Sequence, residues 1–533
     1  MTADAVYDAV VVGAGAAGCV AADTLTAGGL TVLLLDAGPR LDALRDFPTP
    51  VPLNRGALDR RLLAWSGQPV QARGRGCSRA TRRYYVDDRE HPYETPPDAP
   101  FYWLRGRQVG GRLITWGRVA PRFSDREFQP GAHGGAGANW PIAYADLAPY
   151  YASVERLVGV HGVPSGLPQH PGGEYLAPHP LTPLERRLAD VVAARWPTRR
   201  FGPAPVVAHA PGRVPPPLAA ALATGALTLR PDAVATRVVT SPAGDRAEGV
   251  EFVDRVTRRA HVVRADTVVL CASAFESVRL LLNSTSPRHP DGLGNSRGLL
   301  GRFIMDHCMV TLTGVAPGAA APPPPNGPAD PYDMAAFHLY MPGFRNITEP
   351  AAGFTGSYNV MALAGRGGAG FAFVSFGEMQ ARADNHLSLG EKRDAWGVPV
   401  ARIACRHDGN DRAMMADMAA TLREMAEAAG FQVRGAPGSP LGRLRAWVAP
   451  DTQMPGSHGH YPGASIHEMG GARMGPSPDD SVVNAWNQCW DAPNVVVADA
   501  ACFPTSGYQN ITLTIMAIAA RAARHVVDGH RKG

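Results

Sequence analysis

The stretch from Tyr7 to Arg40 reads YDAVVVGAGAAGCVAADTLTAGGLTVLLLDAGPR, and it admits few folds. Val10, Val11 and Val12 form a continuous β-branched run, the pattern of a strand buried on both faces. Gly13, Gly15 and Gly18 follow in the spacing G-x-G-x-x-G. The first glycine permits a tight turn, the second lets backbone approach a pyrophosphate, and the third lets a helix pack on the strand. An Ala-rich helix then turns its N-terminus, with its free N–H groups and dipole, toward the phosphates. A second apolar strand, Thr31 to Leu35, ends in Asp36, where a carboxylate accepts hydrogen bonds from an adenosine ribose. Strand, turn, helix, strand and acid together predict a dinucleotide-binding βαβ unit. The motif alone does not separate NAD from FAD.

The chain has 533 residues, 45% hydrophobic and 19% charged, an ordinary globular composition long enough for two cooperating domains. Its net charge of +5 is spread thinly, and no apolar run approaches the length of a membrane span. The first residues, MTADAVYD, carry neither the basic nor the apolar part of a secretory signal, so a cytoplasmic location is expected. The seven cysteines (Cys19, Cys77, Cys271, Cys308, Cys405, Cys489 and Cys502) are scattered, without C-x-x-C or zinc spacing. They read as reduced thiols, several of them in core strands, and no metal site is expected.

Arg73, Arg75, Arg79, Arg82 and Arg83 form a basic cluster without an interleaved aromatic ladder. It reads as a solvated loop or subunit contact, and no nucleic-acid partner is expected. Residues 101–128 are punctuated by Gly106, Gly110, Gly111 and Gly117, as backbone passing close to something flat or bulky would be. Residues 139–158 look like a capped surface helix. Residues 162–217 read as loops around one helix, Thr182 to Arg195, with His170 and His179 solvated beside prolines. Leu227–Leu229, Ala233–Thr240, Gly249–Val253 and His261–Arg264 read as a small run of strands, followed by a separate buried strand, Thr267–Cys271, and the helix Phe275–Leu282. Residues 316–330 form a proline-rich loop, and Asp411–Ala429 an amphipathic helix.

The C-terminal part carries the chemistry. Ser465 to Gly475 reads SIHEMGGARMG. Val495–Val497 is one more buried strand, ending at Asp499, and Thr512–Val527 is a helix with Asn510 and Thr512 at its N-terminus. A helix N-terminus aimed at a reduced, anionic ring system would stabilise it. Oxidising an unactivated alcohol requires a base for the hydroxyl proton, and His467 is a side chain suited to that near neutrality. Asn510 can donate and accept hydrogen bonds to hold the substrate oxygen.

Taken together, the chain resembles the glucose–methanol–choline (GMC) oxidoreductase family. The matching segments are VVVGAGAAG, QVGGRLITWG, VVLCASAFESVRLLLNS (268–284), NSRGLLGRFIMDH (295–307), HEMGGARMG and NITLTIMA, spread over the whole length. Residues 87–111 and 376–399 are similar to bacterial members acting on sugar-like alcohols, including pyranose oxidases and sugar or aminoglycoside dehydrogenases. The resemblance implies bound FAD, toward which Asp36-Ala37-Gly38-Pro39 also leans. It implies that His467 is the general base and Asn510 its partner, with hydride passing to flavin N5. It places the Val234 backbone by the adenine, Asp499 and Ala500 by the pyrophosphate and ribityl, and Gly110, Gly111 and Thr115 along the flavin ring. Relatives that tether FAD carry a histidine where this chain has Thr115, so noncovalent FAD is expected. The usual N-P-T-L-T reads Asn510-Ile511-Thr512-Leu513-Thr514 here, which frees one N–H in the first helical turn.

The expected fold is α/β (α+β): a discontinuous Rossmann-like FAD-binding domain with a second, mixed-sheet substrate-binding domain. Residues 1–45, 225–310 and 461–533 build the former, 311–460 the latter, and 46–224 supply lid, flavin-contacting and substrate-side segments. The expected activity is FAD-dependent oxidation of an alcohol on a pyranoside or an aminoglycoside intermediate, as in an antibiotic pathway. A cationic amino sugar calls for pocket carboxylates, with Glu378, Asp384 and Glu468 as candidates that also read as surface or supporting acids. An oxygen-using pyranose or C-glycoside oxidase is the near alternative. An FAD-containing lyase, or a flavin-binding protein without catalysis, is the alternative of another class.

Overall fold

In the computed structural model the described residues are 6–41, 57–74, 76–79, 81–133, 137–207, 214–317, 337–351, 353–366, 369–434 and 452–532. Among them, seven strands form the larger sheet. Its order is Leu227–Arg230, Val32–Leu35, Val6–Val12, Ala260–Leu270, Ala247–Asp254 and Ala233–Thr240, with Val495–Val497 beside the end of Ala260–Leu270. Val6–Val12 pairs in parallel with Val32–Leu35 on one side and with Ala260–Leu270 on the other. Ala9 to Val12 and Val32 to Leu35 are buried throughout, which is why these strands are continuous apolar runs. The helix Ala16–Ala27 connects the first two strands and packs on Pro216–Ala223 and on the C-terminal helix, Thr512–His530.

The two strands expected at His261–Arg264 and Thr267–Cys271 are one strand, Ala260–Leu270. Its first half pairs antiparallel with Ala247–Asp254, and its second half pairs parallel with Val6–Val12. The first half is largely exposed, whereas Val268, Val269 and Leu270 are fully buried. One strand that crosses from solvent into the core carries two sequence patterns, so it reads as two. The run of strands from Leu227 lies in the dinucleotide sheet.

The second sheet has six strands among the described residues. They lie in the order Gln432–Val433, Cys308–Val315, Gly370–Gly377, Val360–Ala364, Leu339–Met341 and Gly202–Pro203, antiparallel throughout. The helix Gly409–Ala428, capped by Asp408, covers one face. Side chains alternate across the sheet, as the period of two requires. Phe371, Phe373, Val360 and Ala362 join the main core with Met414 and Met418 of that helix. Val374, Phe376, Met361 and Tyr340 face the other way, in a separate apolar cluster with Val119 and Val206.

Other expectations are corrected in detail. The helix expected within 139–158 starts at Tyr144 and is docked rather than superficial: it buries Leu147, Tyr151, Val154 and Val158, and Tyr151 bonds Thr514 at 2.7 Å. His170 is buried, its ring stacked on Tyr340 at 5.2 Å, while His179 is exposed as expected. Arg79, Arg82 and Arg83 are exposed and Arg73 lies over the Tyr102 ring at 4.6 Å. Arg75, the first residues Met1 to Ala5 and most of the proline-rich segment (318–330) lie outside the described residues. All seven cysteines are buried free thiols. No helix of the described residues is long and apolar enough to cross a membrane.

Candidate active site

A cavity of about 360 Å³ opens at the carboxyl ends of the parallel strands, where ligands of open α/β sheets bind. Each strand delivers its next residues there: Gly13 after Val12, Asp36 after Leu35, Cys271 after Leu270, and Asp499 in the segment after Val497. Gly13 has φ +101°, and a Cβ on Gly18 would stand 1.7 Å from the Gly13 carbonyl oxygen, so helix and turn touch backbone to backbone. A Cβ on Gly15 would meet nothing within 4 Å, because Gly15 faces the open cavity. No side chain caps the helix that starts there, and Gly15, Ala16 and Ala17 line the cavity. An uncapped helix end of this kind is an anion site and fits a pyrophosphate. Asp36 accepts from the Ala14 N–H at 2.9 Å and from the Gly38 N–H at 2.8 Å. Its carboxylate thereby fixes the turn, and each oxygen keeps acceptor capacity for a ribose hydroxyl.

The segment from Gly106 to Gly117 roofs the cavity. Gly110 (φ +92°) donates its N–H to the Ala14 carbonyl at 2.8 Å, and a Cβ on Gly111 (φ +50°) would stand 2.8 Å from Gly15 Cα. The backbone there crosses directly over the glycine turn, which only glycine allows. Thr115 and Trp116 line the roof, and Val234 lines the wall. Arg105, Arg107 and Glu276 also line the cavity and were not singled out from the sequence. They belong to a buried charge network in which His91 bonds Glu276 at 2.8 Å, and burial pulls the His91 pKa down to about 4, helped by the neighbouring Arg107. Asp499 accepts from Ser277 Oγ at 2.5 Å and from the Ala501 N–H at 2.9 Å, and burial pushes its carboxyl pKa up to about 6.

His467 lines the same cavity, and the N-terminus of the helix Thr512–His530 reaches it through Ile511 and Thr512. The loop carrying His467 is held by Asp306. Asp306 accepts from the N–H groups of Gly463 (2.7 Å), Ser465 (3.4 Å) and His467 (3.1 Å), and from the Ser465 hydroxyl. The His467 ring bonds His307, Nδ1 to Nδ1, at 2.9 Å, and packs edge-on against Phe376 at 4.8 Å between ring centres. Burial drives the His467 pKa well below the usual histidine value, helped by His307 and the Arg112 guanidinium, so the ring is neutral at pH 7. Arg112 itself makes a two-pronged ion pair with Glu468, at 2.8 and 3.0 Å. Asp306→Ala would strand these loop donors in a fully buried place. We expect a cost of roughly 3 kcal/mol or more, read as a lower thermal midpoint of the flavin-loaded protein, with Asp306→Asn intermediate.

Of the residues singled out from sequence, Gly13, Gly15, Asp36, Gly111, Thr115, Val234, Asp499, Ala500, Thr512 and His467 come together on this cavity. Gly18 and Gly110 support it from behind and do not line it. Asn510 also lies outside the lining. Its Oδ1 is buried without a hydrogen-bond partner, and the partner of the His467 ring is His307. Of the acids considered for an amino sugar, Glu468 is bound to Arg112, Asp384 is exposed and pairs with Arg382, and Glu378 is half-buried, its pKa raised to about 7 by desolvation. Asp306 and His307 were missed as individuals, although both lie in the matched segment NSRGLLGRFIMDH. No metal site was expected; among the described residues Cys308, His407 and Asp411 bring ligand-type atoms within 4.8 Å, beside the Arg382 guanidinium, 3.8 Å from Asp411.

Two family models described as GMC oxidoreductase match residues 216–309 and 381–519, and one described as an NAD(P)-binding Rossmann-like domain matches residues 11–45. Paromamine 6'-oxidase of Streptomyces fradiae is 28% identical over 98% of this chain and 92% of its own. The fructose dehydrogenase large subunit of Gluconobacter japonicus is 27% identical over 99% of this chain and 98% of its own. Among solved structures, a formate oxidase variant from Aspergillus oryzae RIB40 superimposes with a TM-score of 0.70 at 16% identity, covering 100% of both chains, and so shares the fold. The uncapped helix end, the acid at the second strand and the glycine roof fit the adenosine diphosphate part of FAD. With both family models matched and relatives aligned over nearly its whole length, this chain belongs to the GMC oxidoreductase family and is an FAD-dependent alcohol oxidoreductase.

Proposed function

We propose that this protein oxidises a hydroxyl group on a sugar-like ring to the carbonyl, with His467 as general base and Asn510 as a second hydrogen-bonding group for the substrate oxygen. The observation that carries this reading is a neutral, part-buried imidazole that opens onto the cofactor cavity. A base that is already deprotonated at pH 7 can take the hydroxyl proton without first losing one of its own. FAD, when bound, supplies the two-electron acceptor. Asn510 directly precedes Ile511, the N-cap of the helix Thr512–His530, and its unpartnered Oδ1 is a buried acceptor that a substrate hydroxyl would satisfy. The larger sheet would serve the cofactor: Asp36 would hold the ribose, Val234 the adenine, Asp499 and Ala500 the pyrophosphate and ribityl, and Gly111 and Thr115 the flavin ring.

The six-stranded sheet serves the substrate. Phe376, backed by a buried apolar cluster with Val374, Met361 and Tyr340, is the residue of that sheet whose ring meets His467, an apolar contact suited to the C–H face of a ring. Relatives named for paromamine and fructose support a sugar-like substrate. Thr115, with no histidine between Gly106 and Gly117, supports noncovalent FAD; acid precipitation should release all of the flavin.

The test is anaerobic bleaching of the oxidised-flavin band by a panel of neutral sugars, glycosides and amino sugars. We expect one of these classes to bleach it, and readmitted air to reveal whether oxygen restores it. Yellow protein that none of them bleaches would remove the sugar assignment and favour a non-sugar alcohol or a lyase.

A further inference from the structure

The bond between His307 and His467 leaves their protons a single consistent arrangement. His307 Nε2 lies 3.2 Å from the Ser506 carbonyl oxygen, and a carbonyl can only accept. The proton of neutral His307 is therefore on Nε2, and its Nδ1 carries a lone pair. That lone pair faces His467 Nδ1 at 2.9 Å, a hydrogen-bond distance. His467 must then donate from Nδ1, which leaves the lone pair of His467 on Nε2. His307 is 1% exposed and packs against Phe376 at 5.6 Å and 29°, while the same Phe376 ring abuts His467. Its neighbour Asp306 holds the backbone of His467, so two successive residues hold the loop and the ring.

We infer that His307 is the positioning residue of the base: through the chain Ser506 carbonyl, His307, His467, it holds His467 in the tautomer whose Nε2 is free to receive the substrate proton. The inference rests on the reading of His467 as base. When the substrate O–H bond breaks, an Nε2–H bond forms on His467, and its ring becomes a cation. The Nδ1–H to His307 Nδ1 bond persists through the transfer, so the contact that selects the tautomer also holds the ring in place while the proton moves. A third group orienting a catalytic imidazole through its far nitrogen is the arrangement seen wherever a histidine base works in a triad. The charged groups facing the pair are Arg112 and, bound to it, Glu468, with Asp306 below the loop.

Two measurements test this. In the resting flavin-loaded protein with ¹⁵N-labelled histidine, the His467 Nε2 resonance should have the chemical shift of an unprotonated nitrogen and Nδ1 that of a protonated one, assigned with His467→Asn. A protonated Nε2 in the wild type would overturn the inference without any substrate being known. In anaerobic stopped flow with an alcohol that bleaches the wild type, His307→Leu should bind FAD and alcohol normally. Its limiting reduction rate should fall on the order of 100-fold, with an altered pH profile. His307→Asn, whose amide oxygen can accept where Nδ1 did, should recover much of that loss. Reduction by His307→Leu at the wild-type rate and pH profile would overturn the inference. If His467→Ala itself reduces normally, the base assignment fails; if His467→Ala is inactive and His307→Leu is not, only the positioning role fails.

Discussion

His467→Ala purifies with FAD, and an alcohol that bleaches the wild-type flavin reduces this variant about 10²- to 10⁴-fold more slowly, the range for loss of a general base. The cofactor cavity should survive the change, because the groups that fit adenosine diphosphate are on the larger sheet and the glycine roof. The dependence on pH carries the same reading. The folded pKa of His467 lies well below the usual histidine value, because burial disfavours the imidazolium and His307 and Arg112 add to it. The neutral imidazole is then the dominant form at pH 8, at pH 7 and below the unperturbed value near 6.5. The wild-type rate of flavin reduction should stay flat as pH falls from about 8 to about 6 and decline only in more acid solution, whereas an unshifted histidine would lose half its activity near pH 6.5. A decline centred at the unshifted value would mean that the base is another group or that the ring is more solvated than its packing shows.

Gly18→Ala purifies with little or no flavin and a lower thermal midpoint. The added Cβ would stand 1.7 Å from the Gly13 carbonyl oxygen and 3.3 Å from the Cys271 side chain. Neither neighbour can yield cheaply: Gly13 is at φ +101° in the turn, where even a Cβ of its own would stand 2.3 Å from the Cys271 carbonyl oxygen. The helix must back away from the turn, which moves the N–H groups that face the cavity. Overpacking of this kind costs about 1–3 kcal/mol or more, before the loss of cofactor stabilisation is counted. Gly15→Ala separates the two effects. Its Cβ meets nothing within 4 Å and its backbone (φ −88°, ψ −157°) suits alanine, so the flavin-free protein should unfold at the wild-type temperature. The methyl group would nevertheless stand where the pyrophosphate comes closest, and flavin content should fall. Equal thermal midpoints for flavin-free Gly18→Ala and wild type would refute the steric account.

The residues that were legible in sequence are those whose roles are set within one short stretch. The turn at Gly13, Gly15 and Gly18, its flanking strands and Asp36 interact over about thirty residues through backbone sterics and a few hydrogen bonds, so spacing alone identifies them. Helix caps such as Thr182 and Asp408 are equally local, and the helices they begin start where expected, to within two residues. The strand Ala260–Leu270 was misread because its two halves lie in different surroundings, and a periodicity measures surroundings. His170 was misplaced for a related reason: a histidine beside a proline looks solvated until the Tyr340 strand covers it.

By itself, then, the sequence determined the dinucleotide unit, the family resemblance and the identity of His467 as a candidate base. The state of that base was decided by tertiary structure alone. His307 is 160 residues from His467, and Ser506 is 199 residues from His307, so their hydrogen bonds exist only once the six-stranded sheet has packed against the C-terminal loops. Burial, a neighbouring imidazole and a guanidinium then set the protonation and the tautomer of His467, and each of these acts through distance in space, of which a linear chain holds no record.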